Sequence, residues 1–239
     1  MSFEIISFEA AEKRYYPASV ELGSLDDGNY LPHHALDLPL GHSRYGGPII
    51  DLPPGLEHPA ALRFAAQIDL STIAPHDRSG LLPPRGQLLF FCDPVADTGR
   101  VIYADVDNHQ LHRIIVEHED SFWDGVLIQS VRADQESWSE RYREPEDEEE
   151  GRELAHLLNA DGKLWDEFGG SARSKMLGMV THCQWDEEEV RAKMADNQIV
   201  LVQFGENGFN DEGVFFVLID REDLRNRHFD ACEFYWSQS

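Results

Sequence analysis

The sequence predicts an α+β fold, mostly antiparallel β-sheets from two similar strand units with a few peripheral helices. Three observations carry that prediction. The stretch GQLLFFCD, Gly86 to Asp93, returns as GVFFVLID, Gly213 to Asp220, in both cases a Gly, a mostly apolar run and a closing Asp. Two further blocks precede each copy in the same order: Ser43-Arg44-Tyr45-Gly46-Gly47 is answered by Ser174-Lys175-Met176-Leu177-Gly178, and LRFAAQIDL, with Gln67, by IVLVQFGEN, with Gln203. Finally, helical spacing with recognisable caps is confined to a few short segments. An ordered echo of this kind is the signature of a repeated supersecondary unit. Two such units bury their sheet faces against each other, which predicts one domain over 1–239 rather than two independent ones. The first unit spans 40–115 and the second 170–239, with an acidic, helical insertion at 133–165.

Along the chain, the first 60 residues are rich in Pro, Gly and polar turns, which bars long helices and central strands and predicts short strands joined by turns. LRFAAQIDL then places Leu62, Phe64, Ala66 and Ile68 on one face at period two, the mark of a strand. GQLLFFCD and RVIYADV follow, joined by PVADTG, a turn composition that suits a hairpin. HQLHRIIVEHE and GVLIQSV read as further strands. After the acidic run, Leu154, Leu157 and Leu158 at i, i+3, i+4 predict a helix, with the acids on its N-terminal side where the dipole favours them. DEEEVRAKMADN has Asp186 and Glu189 at capping-box spacing and predicts a second helix. DREDLRNR, starting at Asp220, predicts a short third one.

Composition limits the function classes. The chain has 239 residues with 41% hydrophobic and 10% aromatic content, enough for a packed core. Its 45 acidic against 20 basic residues give a net charge of -25. Nucleic-acid binding needs a positive footprint, and no basic cluster exceeds Lys13–Arg14 or the spaced Arg221, Arg225 and Arg227, so direct nucleic-acid contact is excluded. A field of this sign attracts a basic partner. Cys92, Cys183 and Cys232 are odd in number and lack C-x-x-C spacing, which points to a reducing compartment. The N-terminal MSFEIISFEAAEKRYY lacks the apolar core of a signal peptide, and no apolar run reaches about 18 residues. The expectation is a cytoplasmic protein with no membrane partner.

No catalytic, cofactor-binding or metal-binding residue is assigned. There is no G-x-S-x-G, no phosphate-cradling G-x-x-x-x-G-K-[ST], and Cys92 sits in an apolar strand. The eleven histidines match neither H-E-x-x-H nor a Cys/His zinc spacing. The sharpest candidate is the run Glu144, Glu146, Asp147, Glu148, Glu149 and Glu150, broken only by Pro145. A nuclease presents basic side chains to phosphate, and a carboxylate array can occupy that surface through charge-assisted hydrogen bonds. Trp138 and Tyr142 stand four apart, a spacing that puts both on one helical face as aromatic anchors beside the charges. Asp186 to Glu189, by contrast, reads as helix capping.

The ordered blocks SRYGG, LRFAAQIDL and LPPRGQLLFFCD, then SKMLG, QWD, IVLVQFGEN, DEGVFFVLIDREDL and HFD, resemble the YwqG-like family, a group catalogued as a domain of unknown function. The resemblance covers roughly residues 40–239. It implies an α+β fold of two similar β units. Some relatives resemble immunity proteins, encoded beside secreted antibacterial toxins that they neutralise by binding. In size and acidity the chain is similar to immunity proteins against DNase effectors of the type VI secretion system. The resemblance therefore implies a non-catalytic inhibitor whose partner is a cognate basic nuclease domain. An enzyme or small-ligand module using a cleft between the two β units is the alternative.

Overall fold

The computed structural model describes residues 2–16, 30–59, 61–93, 96–116, 124–138, 142–155, 158, 164–165, 173–182, 185–195, 197–205 and 213–238. In chain order the strands are β1 (Ser2–Tyr16), β2 (Tyr30–Pro32), β3 (Arg44–Tyr45), β4 (Ile49–Leu52), β5 (Arg63–Asp69), β6 (Gln87–Asp93), β7 (Thr98–Ala104), β8 (His112–Ile115), β9 (Gly125–Ser137), β10 (Tyr142–Arg143), β11 (Leu164–Trp165), β12 (Lys175–Leu177), β13 (Gln198–Phe204), β14 (Gly213–Asp220) and β15 (Glu233–Gln238). The α-helices are α1 (Leu70–Ile73), α2 (Glu148–Glu153), α3 (Glu187–Ala195) and α4 (Arg221–Asn226). Eleven strands join one sheet in the order β15-β14-β13-β12-β1-β9-β3-β5-β6-β7, with β2 added beside β1. All pairings are antiparallel except β1 with β2.

The sheet curls until its ends nearly meet. The Trp236 backbone N–H, on β15, donates to Asp97 Oδ1 at 3.3 Å, just ahead of β7. At the same seam a Cβ added to Gly99 would lie 2.4 Å from the Phe234 ring, so glycine is what lets the two edges approach. Side chains from strands all along the path, among them Ile6, Tyr45, Ile68, Phe90, Val101, Ile128, Met176, Phe204, Phe215 and Phe234, form one buried cluster. A flat sheet cannot bring both its edges into one cluster, and a barrel-like one can. Tyr45 stacks on Phe204 with ring centroids 4.6 Å apart, tying β3 to β13 across the interior.

Both outer faces are covered as well. The β4–β8 pair lays Ile50 and Leu52 over Phe64, Leu89 and Phe91 of β5 and β6. On the other half, α3 and Met179–Val180 pack Val190, Met179 and Val180 over Val200, Phe216 and Leu218 of β13 and β14. Burial on both faces is why β6 and β14 read as continuous apolar runs instead of alternating ones.

Local chemistry sets the boundaries. Asp69 ends β5 and accepts from Ser71 N–H as the cap of α1, and Asp220 ends β14 and accepts from Glu222 N–H as the cap of α4. The capping box of α3 forms as its spacing predicts: Asp186 N–H donates to Glu189 Oε2 at 3.0 Å and Glu189 N–H to Asp186 Oδ1 at 2.8 Å. The predicted β6–β7 hairpin is in full register from Gln87–Ala104 to Asp93–Thr98, its Pro94 lying outside the described residues.

Two sequence expectations change. The first 60 residues do not hold only short strands, because β1 runs 15 residues and lies at the middle of the sheet between β9 and β12. The predicted helix at Leu154–Leu158 is displaced toward the N-terminus: α2 ends at Glu153, Leu154 is its C-cap, and Leu157 lies outside the described residues. The displacement follows from Asp147, whose side chain caps the Glu149 and Glu150 amides and so starts the helix inside the acidic run.

Candidate functional site

The acidic segment hangs between β10 and α2. Strand β10 pairs in the antiparallel sense with β11, Tyr142 opposite Trp165, and the chain then turns through Glu144, Pro145 and Glu146 into the helix. Two of the acids are used locally. Asp147 Oδ1 accepts from Glu149 N–H and Glu150 N–H, both at 2.9 Å, and Glu150 Oε2 accepts from Glu146 N–H at 2.6 Å. Glu144, Glu146, Glu148 and Glu149 are exposed, and no cation pairs with their carboxylates among the described residues. The first turn thus projects Glu148 and Glu149 from a helix start whose dipole already favours negative charge.

Trp138 is buried, 8% exposed. It meets Phe3 edge to face with ring centroids 6.1 Å apart, and the Arg191 guanidinium lies 4.1 Å from its ring centroid. Arg191 in turn donates to Glu187 Oε1 at 2.6 and 2.8 Å. A partner approaching here meets Arg191, with Trp138 as support beneath. Trp138 and Tyr142 do not share a helical face, because Tyr142 belongs to a strand, and its side chain lies outside what is described.

Other acids are buried, and these are neutralised. Asp51, fully buried, takes Arg44 at 3.0 Å and both nitrogens of an Arg113 fork at 2.7 and 3.0 Å. Burial pushes its carboxyl up, but the Arg113 hydrogen bonds, the Arg44 charge and the Gly41 amide outweigh it and hold the carboxyl below its ordinary range. The buried amides of Gln67 and Gln87 extend this network to the half-buried Asn108 and on to Asp69. On the other half, Lys175 Nζ lies 2.6 and 2.8 Å from the Glu136 carboxylate oxygens and donates to the Met179 carbonyl at 2.8 Å. No spacing or composition marks Arg44, Lys175, Asp51 or Glu136 as interior, because charged residues are almost never fully buried unless paired.

The thiols are poor nucleophiles. Burial pushes Cys92 up and Cys232 up to about 12, far from the thiolate a reactive cysteine needs, and Cys183 lies outside the described residues. Among the described residues no group of three or more His, Cys, Asp or Glu side chains is placed to hold a metal ion. Nor, among them, is any helix long and apolar enough to cross a membrane.

A cavity of about 280 Å³ opens where the two halves of the sheet meet. Ser2, Phe3 and Glu4 of β1 form one wall, Ser79 and Leu81 from the loop before β6 another. The second half contributes Leu177, Gly178, Met194, Asn197, Gln198, Ile199 and Arg221. Gln198 Oε1 is buried there with no hydrogen-bond partner among the described residues. These residues are scattered over the chain, and no spacing in the sequence could have grouped them.

Over residues 43–237 the chain matches the family described as a domain of unknown function, DUF1963. The chain belongs to this family. The DUF1963 match begins at Ser43, whose hydroxyl accepts from Asp69 N–H, and runs into β15, so it takes in both halves of the sheet. It leaves out β1, the strand that pairs with β9 on one side and β12 on the other. No curated protein matches the chain.

Proposed function

We propose that this DUF1963 protein is a non-catalytic inhibitor, a YwqG-like immunity protein of the cytoplasm that binds a basic nuclease toxin and covers its active site. The observation that carries the reading is the exposed, uncompensated carboxylate set of Glu144, Glu146, Glu148 and Glu149, held on a capped turn in a chain of net charge -25. Such a complex buries on the order of 1,600 Å² in total and binds at nanomolar strength, about -12 kcal/mol. The carboxylates speed encounter, and buried contacts nearby slow dissociation.

We also read the two halves of the sheet as copies of one unit. Several equivalences support this. Arg44 and Lys175 stand opposite Gln67 and Gln203, the Ser43 and Ser174 hydroxyls accept from Asp69 N–H and Gly205 N–H, and a register shift falls between Phe64 and Ala66 and again between Val200 and Val202. A Cβ on Gly86 or Gly213 would strike the Ala104 or Ser237 carbonyl, the same neighbour in each copy.

The test is to express the product of the adjacent reading frame alone and together with this protein. Toxicity relieved by co-expression supports the inhibitor; a harmless neighbour, or toxicity that persists, refutes it. For a complex so found, replacing Glu144, Glu146, Glu148 and Glu149 by Gln should slow association several-fold at low salt and flatten its salt dependence. An unchanged on-rate removes the acidic segment from the interface.

A further inference from the structure

The cavity between the halves has a charge arrangement that the inhibitor reading does not use. Glu4 and Arg221 line the same space of about 280 Å³, yet they form no ion pair with each other or with any other described residue. Gln198 contributes to the wall beside them, its Oε1 closed off from the cavity. The rest of the lining mixes Phe3, Leu81, Leu177, Met194 and Ile199 with Ser2, Ser79 and Asn197. Leu177 is held at φ 63 in the left-handed region, where a bulky side chain is rare and strain collects at ligand sites.

Each feature narrows the occupant. A free guanidinium offers a planar fork of donors that matches a carboxylate. A free carboxylate calls for a compact cation with several N–H donors, which is what an ammonium group supplies. A simple anion would satisfy Arg221 but be repelled by Glu4. A neutral apolar molecule would bury both charges unpaired, an arrangement that burial penalises heavily. The volume sits just below the usual range of ligand pockets, roughly 300–1,000 Å³, which suits a molecule as small as a single amino acid.

We propose that this cavity binds a free apolar α-amino acid, with its carboxylate on Arg221, its ammonium on Glu4, and its side chain against Leu81, Leu177 and Ile199. The site is independent of the inhibitor reading, since it shares no residue with the acidic segment, and either can fail without the other. It gives specific content to a cleft between the two β units.

The experiment is titration calorimetry of the full chain with three probes: L-leucine, leucinamide, which lacks the carboxylate, and N-acetyl-leucine, which lacks the ammonium. L-leucine should bind, and each analogue should bind at least tenfold more weakly. Arg221→Gln and the exposed-site variant Glu4→Gln should each weaken L-leucine at least tenfold while melting at the wild-type temperature. No binding of L-leucine overturns the proposal. So does N-acetyl-leucine or leucinamide binding as tightly as L-leucine, or both variants binding as the wild type does.

Discussion

Replacing Lys175 by Met tests what the buried ion pair on the second half contributes. Lys175 is fully buried and Glu136 is 3% exposed, with Nζ 2.6 Å from the nearer carboxylate oxygen. At that distance and an effective permittivity of about 20 the attraction is about 6 kcal/mol before desolvation is subtracted. Removing one partner leaves the other charge stranded in the interior, a loss of about 3–5 kcal/mol. That is a large share of the ~5–15 kcal/mol that holds a typical domain folded. With a urea slope of about 3 kcal/mol/M, the unfolding midpoint should fall by about 1 M or more. Adding Glu136→Gln to Lys175→Met discharges the site and still leaves an acceptor for the Met179 N–H that Glu136 now binds. The pair should therefore be less destabilised than the sum of its parts by about 2 kcal/mol, measured by urea unfolding followed through tryptophan fluorescence. A loss below about 1 kcal/mol for Lys175→Met, or additivity within about 0.5 kcal/mol, would refute the reasoning.

Two further outcomes are expected. His182 lies flat on Trp185 with ring centroids 4.2 Å apart, and burial lowers its pKa from 6.5 to about 4. Below pH 6.5 the unfolded chain takes up a proton that the folded one refuses until about pH 4, so stability should decline across that window as pH falls and His182 should contribute nothing above it. His182→Gln should flatten that stretch of the stability curve; the His182 imidazole resonance, the one lost in His182→Gln, titrating near pH 6.5 would contradict the burial argument. Gly213→Ala places a Cβ 2.2 Å from the Ser237 carbonyl oxygen, backbone that cannot swing away, and should lower stability by about 1–3 kcal/mol. Gly151→Ala, on α2 with its nearest neighbour 3.6 Å away, should instead be neutral or stabilise by about 0.5–1 kcal/mol. Equal melting temperatures for the two variants would show that the β14–β15 spacing is wrong.

The strands of the two echoed blocks were legible because their chemistry is local. Glycine starts, apolar runs and capping aspartates announce β6 and β14, and the Asp186–Glu189 spacing announces α3. Strand β1 was not legible. Its Ile5 and Ile6 are adjacent and both buried, since the sheet is covered on both faces there, and its pairing with β9 shifts at Ala10 and again before Arg14. No period-two pattern survives that. The acidic run was visible as composition, but its division into capping acids and free acids depends on where the helix starts, which Asp147 decides. The cavity was invisible for a different reason: Glu4, Gln198 and Arg221 are far apart in the chain and meet only because β1, β12, β13 and β14 lie side by side in the sheet.

The place of β1 has a consequence for the order of events during synthesis. Ile5 must find Asp134 on one side and Leu177 on the other, so the strand emerges long before either partner exists. At about 5–20 residues per second the wait exceeds several seconds, during which the short β2 is the native partner within reach. The first half can form its β5–β6–β7 meander early, but the halves cannot be joined until β12 has appeared. Translation speed and chaperone access over the stretch of chain up to β12 therefore bear on yield, as expected when a fold is dominated by pairings distant in sequence.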